Sequence, residues 1–476
     1  MKTECIQTTF HFEELGKRQV VAQFNGGTIS SDAGGLLLRE VEHGKGIIDR
    51  FSTCFTDYRD QDEIEHTLKE LIAQRVYGIA LGYEDLNDHD NLRADHLLAL
   101  LCGKDDPSGQ DRRCQRDKGK ALAGKSTLNR LELTPSDATE KSRYKKIVYD
   151  GEKAERFFTD IFLSSQEEIP EQIILDLDAT DYPLYGNQEN RFFHGYYDCY
   201  CYLPLYIFCG NQLLCAKLRP SDRDASEGSK EEVERIVKEI RKQWPNVRII
   251  LRGDSGFARE ELMSWCETNG VDYLFGLAKN ARLLKMIEKE LEEARKECEQ
   301  TEQSSRVYKD FIYRTLKSWS RQRRVVGKAE YLRKGPNPRF VVTTFKREEI
   351  DARSLYEKEY CARGEMENRI KEQQLYLFAD RTSTETMRAN QLRLWFSSVA
   401  YVLLNELRRV GLRSTEFAKA QCHTIRNKLF KIGAQIRISV RRISVSLANG
   451  YPYQEVFEQA YKNLRNAYPL SCNVAG

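Results

Sequence analysis

Three short runs carry the side chains that could do chemistry. VRIILRGDSGF (residues 247–257) is an apolar stretch that ends on Asp254, with Gly253 and Gly256 on either side. IILDLDAT (residues 173–180) is a second apolar stretch, ending on Asp176 and Asp178. Carboxylates at two strand ends suggest a shared site for a divalent metal. Phosphodiester cleavage needs an activated oxygen nucleophile and neutralised charge on an in-line transition state, and two cations held by three carboxylates supply both. Side chains alternate along a strand, so Asp176 and Asp178 share one face. Asp178 is the preferred first ligand because Ala179 and Thr180 leave room for a phosphate, and Asp176 is the fallback. The third acid should come from a helix beside the sheet. In YCARGEMENRIKEQQ, Tyr360, Arg363 and Glu367 stand at i, i+3 and i+7, one helical face. Glu365 lies on another face, and Glu372 is a weaker rival.

The elements that must position these acids follow from periodicity. From Ile173 onward the chain reads as strand 173–178, strand 200–209, strand 213–219, helix 229–243, strand 247–253, helix 258–269 and strand 271–276. Three strands, helix, strand, helix, strand is the order of a ribonuclease-H-like mixed sheet. Residues 281–303 read as a charged helix, and RVYKDFIYRTL, RRVVGKAEYL and PRFVVTTF as three further strands. Helical patterning returns after Tyr356 and is interrupted only by ISVSL (residues 443–447).

The expected fold class is therefore an α/β core with a β-rich insertion, flanked by helical N- and C-terminal regions. The regions are 1–165, mainly helical, for DNA binding or dimer contacts; 166–280, the first part of the core; 281–355, the charged helix and insertion; 356–380, the helix with the third acid; and 381–476, basic and helical. Leu68, Leu71, Ile72, Val76, Ile79 and Leu81 set the helical period in the first region, and Gly82 supplies a stop.

With 476 residues the chain can hold two to four domains of about 100–200 residues each. MKTECIQTTFHFEEL mixes acids and polar residues where a signal peptide has its apolar core, which points to the cytoplasm. Leu394–Leu404 is far short of the roughly 20 apolar residues that span a bilayer, so it reads as a buried helix. Thirteen scattered cysteines with no C-x-x-C pair fit reduced thiols, and His194, Cys199 and Cys201 lack the second ligand pair of a zinc site.

The net charge of +3 hides segregation: residues 381–476 hold 15 Lys/Arg against 5 Asp/Glu, and residues 112–130 hold 7 basic residues. Several such runs together suit a polyanion such as DNA. Gly119 to Ser126 matches G-x4-G-K-[ST], the phosphate-binding loop of nucleotide triphosphatases. Such a loop must follow a buried strand, whereas this one follows the polar tract 103–120. Lys120 and Lys125 are better read as DNA contacts, with ATP hydrolysis kept as the competing function.

The runs LDLDATDYPLYGNQENRFFHGYYDCYCYLPLYIF and LRGDSGF, with the Y-x2-R-x3-E spacing, resemble bacterial insertion-sequence DDE transposases, most closely the insertion sequence 1380 family. The resemblance spans nearly the whole chain. It implies a catalytic triad and metal-ligand set of Asp178, Asp254 and Glu367, two Mg²⁺ ions with Mn²⁺ as a substitute, and DNA cleavage and strand transfer at element ends by at least a homodimer. It makes Tyr360 and Arg363 contacts to DNA phosphates. Relatives carry a Lys where this chain has Gln374, and Lys371 is the available substitute. Relatives also stack a Trp of the insertion on a flipped base; Trp319 is the insertion's Trp, and a core position is the other reading of it. A nuclease or DNA-binding protein without strand transfer is the remaining alternative.

Overall fold

Residues 8–469 are described by the structure, a computed structural model. The start of the segment read for a signal peptide, residues 1–7, lies outside them, as do residues 470–476 at the end of the basic region. The chain divides into two compact units, Met1–Val148 with Val399–Gly476, and Tyr149–Ser398. Among the described residues no helix is long and apolar enough to cross a membrane.

The second unit is built on a mixed nine-stranded sheet. Its strands are β1 (Gln172–Ala179), β2 (Leu205–Cys209), β3 (Gln212–Lys217), β4 (Arg248–Gly253), β5 (Asp272–Leu277), β6 (Ser305–Tyr313), β7 (Arg323–Leu332) and β8 (Arg339–Thr343), with the short pair Gly335–Pro336 on β7. The order is β3-β2-β1-β4-β5-β8-β7-β6. β1, β4 and β5 run parallel, and β2 and β3 are antiparallel to their neighbours. The first five strands thus have the 3-2-1-4-5 order of a ribonuclease-H-like core. β8 pairs antiparallel with β5, so the insertion continues the same sheet.

Parallel neighbours require crossovers, and here helices supply them. Helix α1 (Ser229–Gln243) precedes β4, and α2 (Glu260–Thr268) lies between β4 and β5. Val233, Ile236, Val237 and Ile240 of α1 recur at helical spacing and meet Leu175, Leu177, Ile249 and Leu251 in the main core. The opposite face packs Ile250 and Leu274 against Leu355 and Tyr356. Those two residues belong to a helical stretch from Ala352 to Tyr376, with wide π turns at Leu355–Tyr360 and Glu372–Tyr376 around the regular segment α3 (Gly364–Lys371).

Several elements depart from the periodicity. Pro204 cannot donate a ladder bond, and the strand read over 200–209 is two: Cys199–Tyr202 in a separate small sheet, and β2 in the main one. The helix read over 281–303 breaks into Ala281–Met286 and Glu288–Thr301. In the first unit Leu68–Leu81 is helical, opened by a Thr67–Glu70 capping box and closed at Gly82 with φ 100°. Arg442–Leu447 pairs with Ala434–Ser439, a strand the sequence reading missed.

Candidate active site

β1 and β4 are parallel, and their last paired positions are Leu177 and Gly253. Asp178 and Asp254 follow immediately, side by side at the same end of adjacent strands. The alternation that buries Leu175 and Leu177 in the main core turns Asp176, Asp178, Arg252 and Asp254 to the other face.

The loop after β4 holds Asp254 by its own backbone. Its Oδ1 accepts from the Gly256 amide at 2.8 Å, and its carbonyl accepts from the Phe257 amide at 3.3 Å. A Cβ on Gly256 would sit 2.9 Å from that Oδ1, so glycine permits the fold-back. Gly276 on β5 was not singled out from sequence: a Cβ there would meet the Tyr360 hydroxyl at 2.5 Å and the Ser255 amide at 2.9 Å. Its absence of a side chain lets Tyr360 approach the Asp254 loop. The available signal was a glycine inside a strand, which often marks close approach.

Arg363 joins the helix to the sheet. Its guanidinium lies 3.7 Å from Asp178 Oδ2 and donates to Glu367 Oε1 at 2.9 Å. Burial opposes the Arg363 charge, but Asp178, Tyr360, Glu367 and Asp254 together hold its pKa above the ordinary value. Asp178 is pushed up to about 7, by burial first and then by the charges of Asp254 and Glu367, against the lowering effect of Arg363. Burial likewise raises Tyr360, and the nearby Asp254 charge adds to it. Asp178, Asp254, Glu367, Arg363 and Tyr360 therefore share one electrostatic site.

Asp176, the fallback, is committed elsewhere. It is buried in a two-pronged pair with Arg252, Nε to Oδ1 at 2.5 Å and Nη2 to Oδ2 at 2.8 Å. Arg252 also donates to the Glu359 carbonyl, which fastens β4 to the covering helix. Glu372 is fully buried and paired with Arg369 at 2.8 Å, and Glu365 is exposed.

Gln374 donates weakly to Thr180 Oγ1 at 3.3 Å and the Asp181 carbonyl at 3.4 Å, tying the helix to the loop beyond β1. Lys371 is exposed. Trp319 corrects the stacking expectation: it is only 3% exposed, packed edge-on to Tyr313 with Arg323 over its ring, so it has no free face for a base.

Lys120 and Lys125 lie in the first unit. Lys125 opens the helix Lys125–Glu132 and sits 3.5 Å from Asp90. Residues 103–120 contain turns and one short 3-10 turn, Gln115–Asp117, and no strand, so the phosphate-loop motif lacks the strand it requires. Within the basic run, Arg112 is buried against Glu65 and His66, and Arg113 pairs with Glu63. Arg112 serves the fold, while the Arg113 pair stands exposed.

No group of three His, Cys, Asp or Glu among the described residues is arranged to hold a metal ion, His194, Cys199 and Cys201 included. The chemistry of the carboxylate set nonetheless fits a hard divalent cation. Asp178 is a partly buried acid raised by desolvation and by two like charges, a site short of positive charge that Arg363 supplies only in part.

Residues 12–469 match the family model described as Transposase DDE domain group 1. The chain belongs to this DDE transposase family. A solved structure to which it is similar is a piggyBac transposase synaptic complex with hairpin DNA, seen by cryo-EM, at 11% identity and a TM-score of 0.41, covering 84% of this chain and 79% of that one. No curated protein matches the chain. In this DDE transposase the fold assignment rests on the strand order, and the class of enzyme on the family match.

Proposed function

We propose that the protein cleaves DNA at the ends of an insertion element and joins those ends to target DNA, with Asp178, Asp254 and Glu367 as the catalytic acids. The observation that carries this reading is the bridging of Asp178 and Glu367 by Arg363, at 3.7 Å and 2.9 Å, beside Asp254 at the end of the adjacent parallel strand. The bacterial insertion sequence 1380 family is the source of element it fits best, on the runs LDLDATDYPLYGNQENRFFHGYYDCYCYLPLYIF and LRGDSGF.

Asp178, Asp254 and Glu367 would hold Mg²⁺ or Mn²⁺, which when bound supplies an activated oxygen nucleophile and neutralises charge on the phosphate. Arg363 now offsets the negative charge of Asp178 and Glu367. Released from them, its planar fork suits a DNA phosphate. Tyr360, pressed against the Asp254 loop, offers its hydroxyl to the same strand. Water attacks first, and the freed 3′-hydroxyl attacks the target phosphodiester second. Two ends must be processed together, so the working form is at least a homodimer on DNA.

The test is a joining assay with element-end duplexes and a target plasmid in Mg²⁺. Joined products from the unmodified protein and none from Asp254→Asn are expected. Cleavage without joining would reduce the protein to a nuclease, and binding without chemistry in either protein would leave a DNA-binding module.

A further inference from the structure

The connection from β1 to β2, residues 180–204, folds as a small sheet of Tyr182–Pro183, Cys199–Tyr202 and Phe192–His194, with Cys199–Tyr202 in the middle. Its inner residues are well anchored. Tyr182 and Tyr202 are fully buried, and the Tyr202 hydroxyl donates to the Glu189 carbonyl at 2.6 Å. Its outer residues are aromatic and bare: Tyr185 is 94% exposed, Tyr196 86% and Phe193 53%. Tyr200 presents its ring edge-on to Phe193 at 5.5 Å and carries the Arg191 guanidinium 3.8 Å over its face. A rigid framework that holds several large rings in water marks a binding surface.

Position says what binds there. Tyr197, edge-on to Tyr196 at 5.0 Å, reaches the Ala179 carbonyl with its hydroxyl at 3.5 Å, one residue from Asp178. Burial and the charges of Asp181, Asp178 and Asp254 hold that hydroxyl in its protonated form. Through Tyr197, Tyr196 thus adjoins the edge of the acid site. Asp181, Glu189 and Asp198 outnumber Arg191 as charges in this segment, so it is not a groove for phosphates. Ring faces and one planar cation suit nucleobases, and bases within a duplex have their faces already covered.

We propose that Tyr185, Phe193 and Tyr196 form a stacking surface for unpaired bases of the DNA strand that enters the site at Asp178 and Asp254. The inference rests on the transposase reading of those acids. It assigns to the β1–β2 connection the base contact that Trp319, sealed in the core, does not make.

The probes are a blunt 20-base-pair duplex and the same duplex with an unpaired arm of ten thymidines, one replaced by 2-aminopurine. Both are bound to the Asp254→Asn protein so that no cutting occurs. Tighter binding of the armed probe and quenched 2-aminopurine fluorescence are expected. Tyr185→Ala, Phe193→Ala and Tyr196→Ala together should weaken armed binding about tenfold or more and restore the fluorescence, leaving blunt binding unchanged. Tyr196→Trp should retain the quench. Equal armed binding before and after the three substitutions overturns the stacking surface. So does equal loss on both probes, or a change in oligomeric size without a change in armed binding. The unmodified protein is assayed in parallel for cleavage of element-end duplexes. Cutting there, with unaltered armed binding by the triple variant, sinks the stacking surface alone. Absence of both cutting and binding sinks the transposase reading with it.

Discussion

At the scale of single residues, two aspartates on one face of β1 have opposite fates. Asp176 meets Arg252, its register partner on β4, and the pair is buried. Removing one member of such a pair leaves an uncompensated buried charge, which costs about 3–5 kcal/mol. Asp176→Asn should therefore show its loss mainly as reduced stability in urea unfolding. Asp178, two residues on, has a long contact with Arg363 and two acid neighbours. Gly256 controls the other aspartate. Gly256→Ala would push a flexible carboxylate rather than backbone, so the fold should survive while Asp254 is displaced. A misplacement on the order of 1 Å can cost about a hundredfold in rate. A melting temperature near that of the parent with cleavage reduced tenfold or more is the expected result.

At the scale of elements, the order and nature of β1 to β5 were legible because each strand is an apolar run with a charged or glycine end. Asp178 and Asp254 were legible for the same reason. Pairing across the sheet was not: Asp176 and Arg252 meet through a parallel register that no local pattern encodes. The covering helix was only half readable. Its π turns alter the 3.6-residue period, and the contact of Tyr360 with the Asp254 loop depends on a missing side chain at Gly276. Trp319 lies in a polar turn sequence, yet the sheet extension seals it against Tyr313. Trp319→Ala should cost about 3–5 kcal/mol of stability by cavity formation. Binding of armed and blunt DNA by the folded fraction should fall equally or not at all, as measured by anisotropy.

At the scale of the whole molecule, the first unit contains a buried histidine set among cations. His66 is lowered to about 3 by burial and by the nearby charges of Arg112, Lys104, Arg93 and Arg59. Arg112 donates to its ring nitrogen at 2.9 Å, which requires the neutral ring. The unfolded chain binds this proton near the ordinary value of about 6.5. The folded form is therefore favoured above that pH, and this contribution is lost as pH falls from about 6.5 toward 3. Urea midpoints should drop through that window, and His66→Gln should flatten the drop. The basic C-terminal region reads differently in three dimensions from its charge count, since Arg426 is buried and donates to the Ile79 and Ala80 carbonyls.

The acid site itself is tested most directly by single-turnover cleavage of an element-end duplex in Mg²⁺, comparing the unmodified protein with Asp178→Asn, Asp254→Asn, Glu367→Gln and the exposed neighbour Glu365→Gln. The first three substitutions should each reduce the cleavage rate by about a thousandfold or more, about 4 kcal/mol of transition-state stabilisation, while Glu365→Gln cuts at the parent rate. Cleavage by Asp254→Asn or Glu367→Gln at the rate of the unmodified protein would contradict the assignment of these acids.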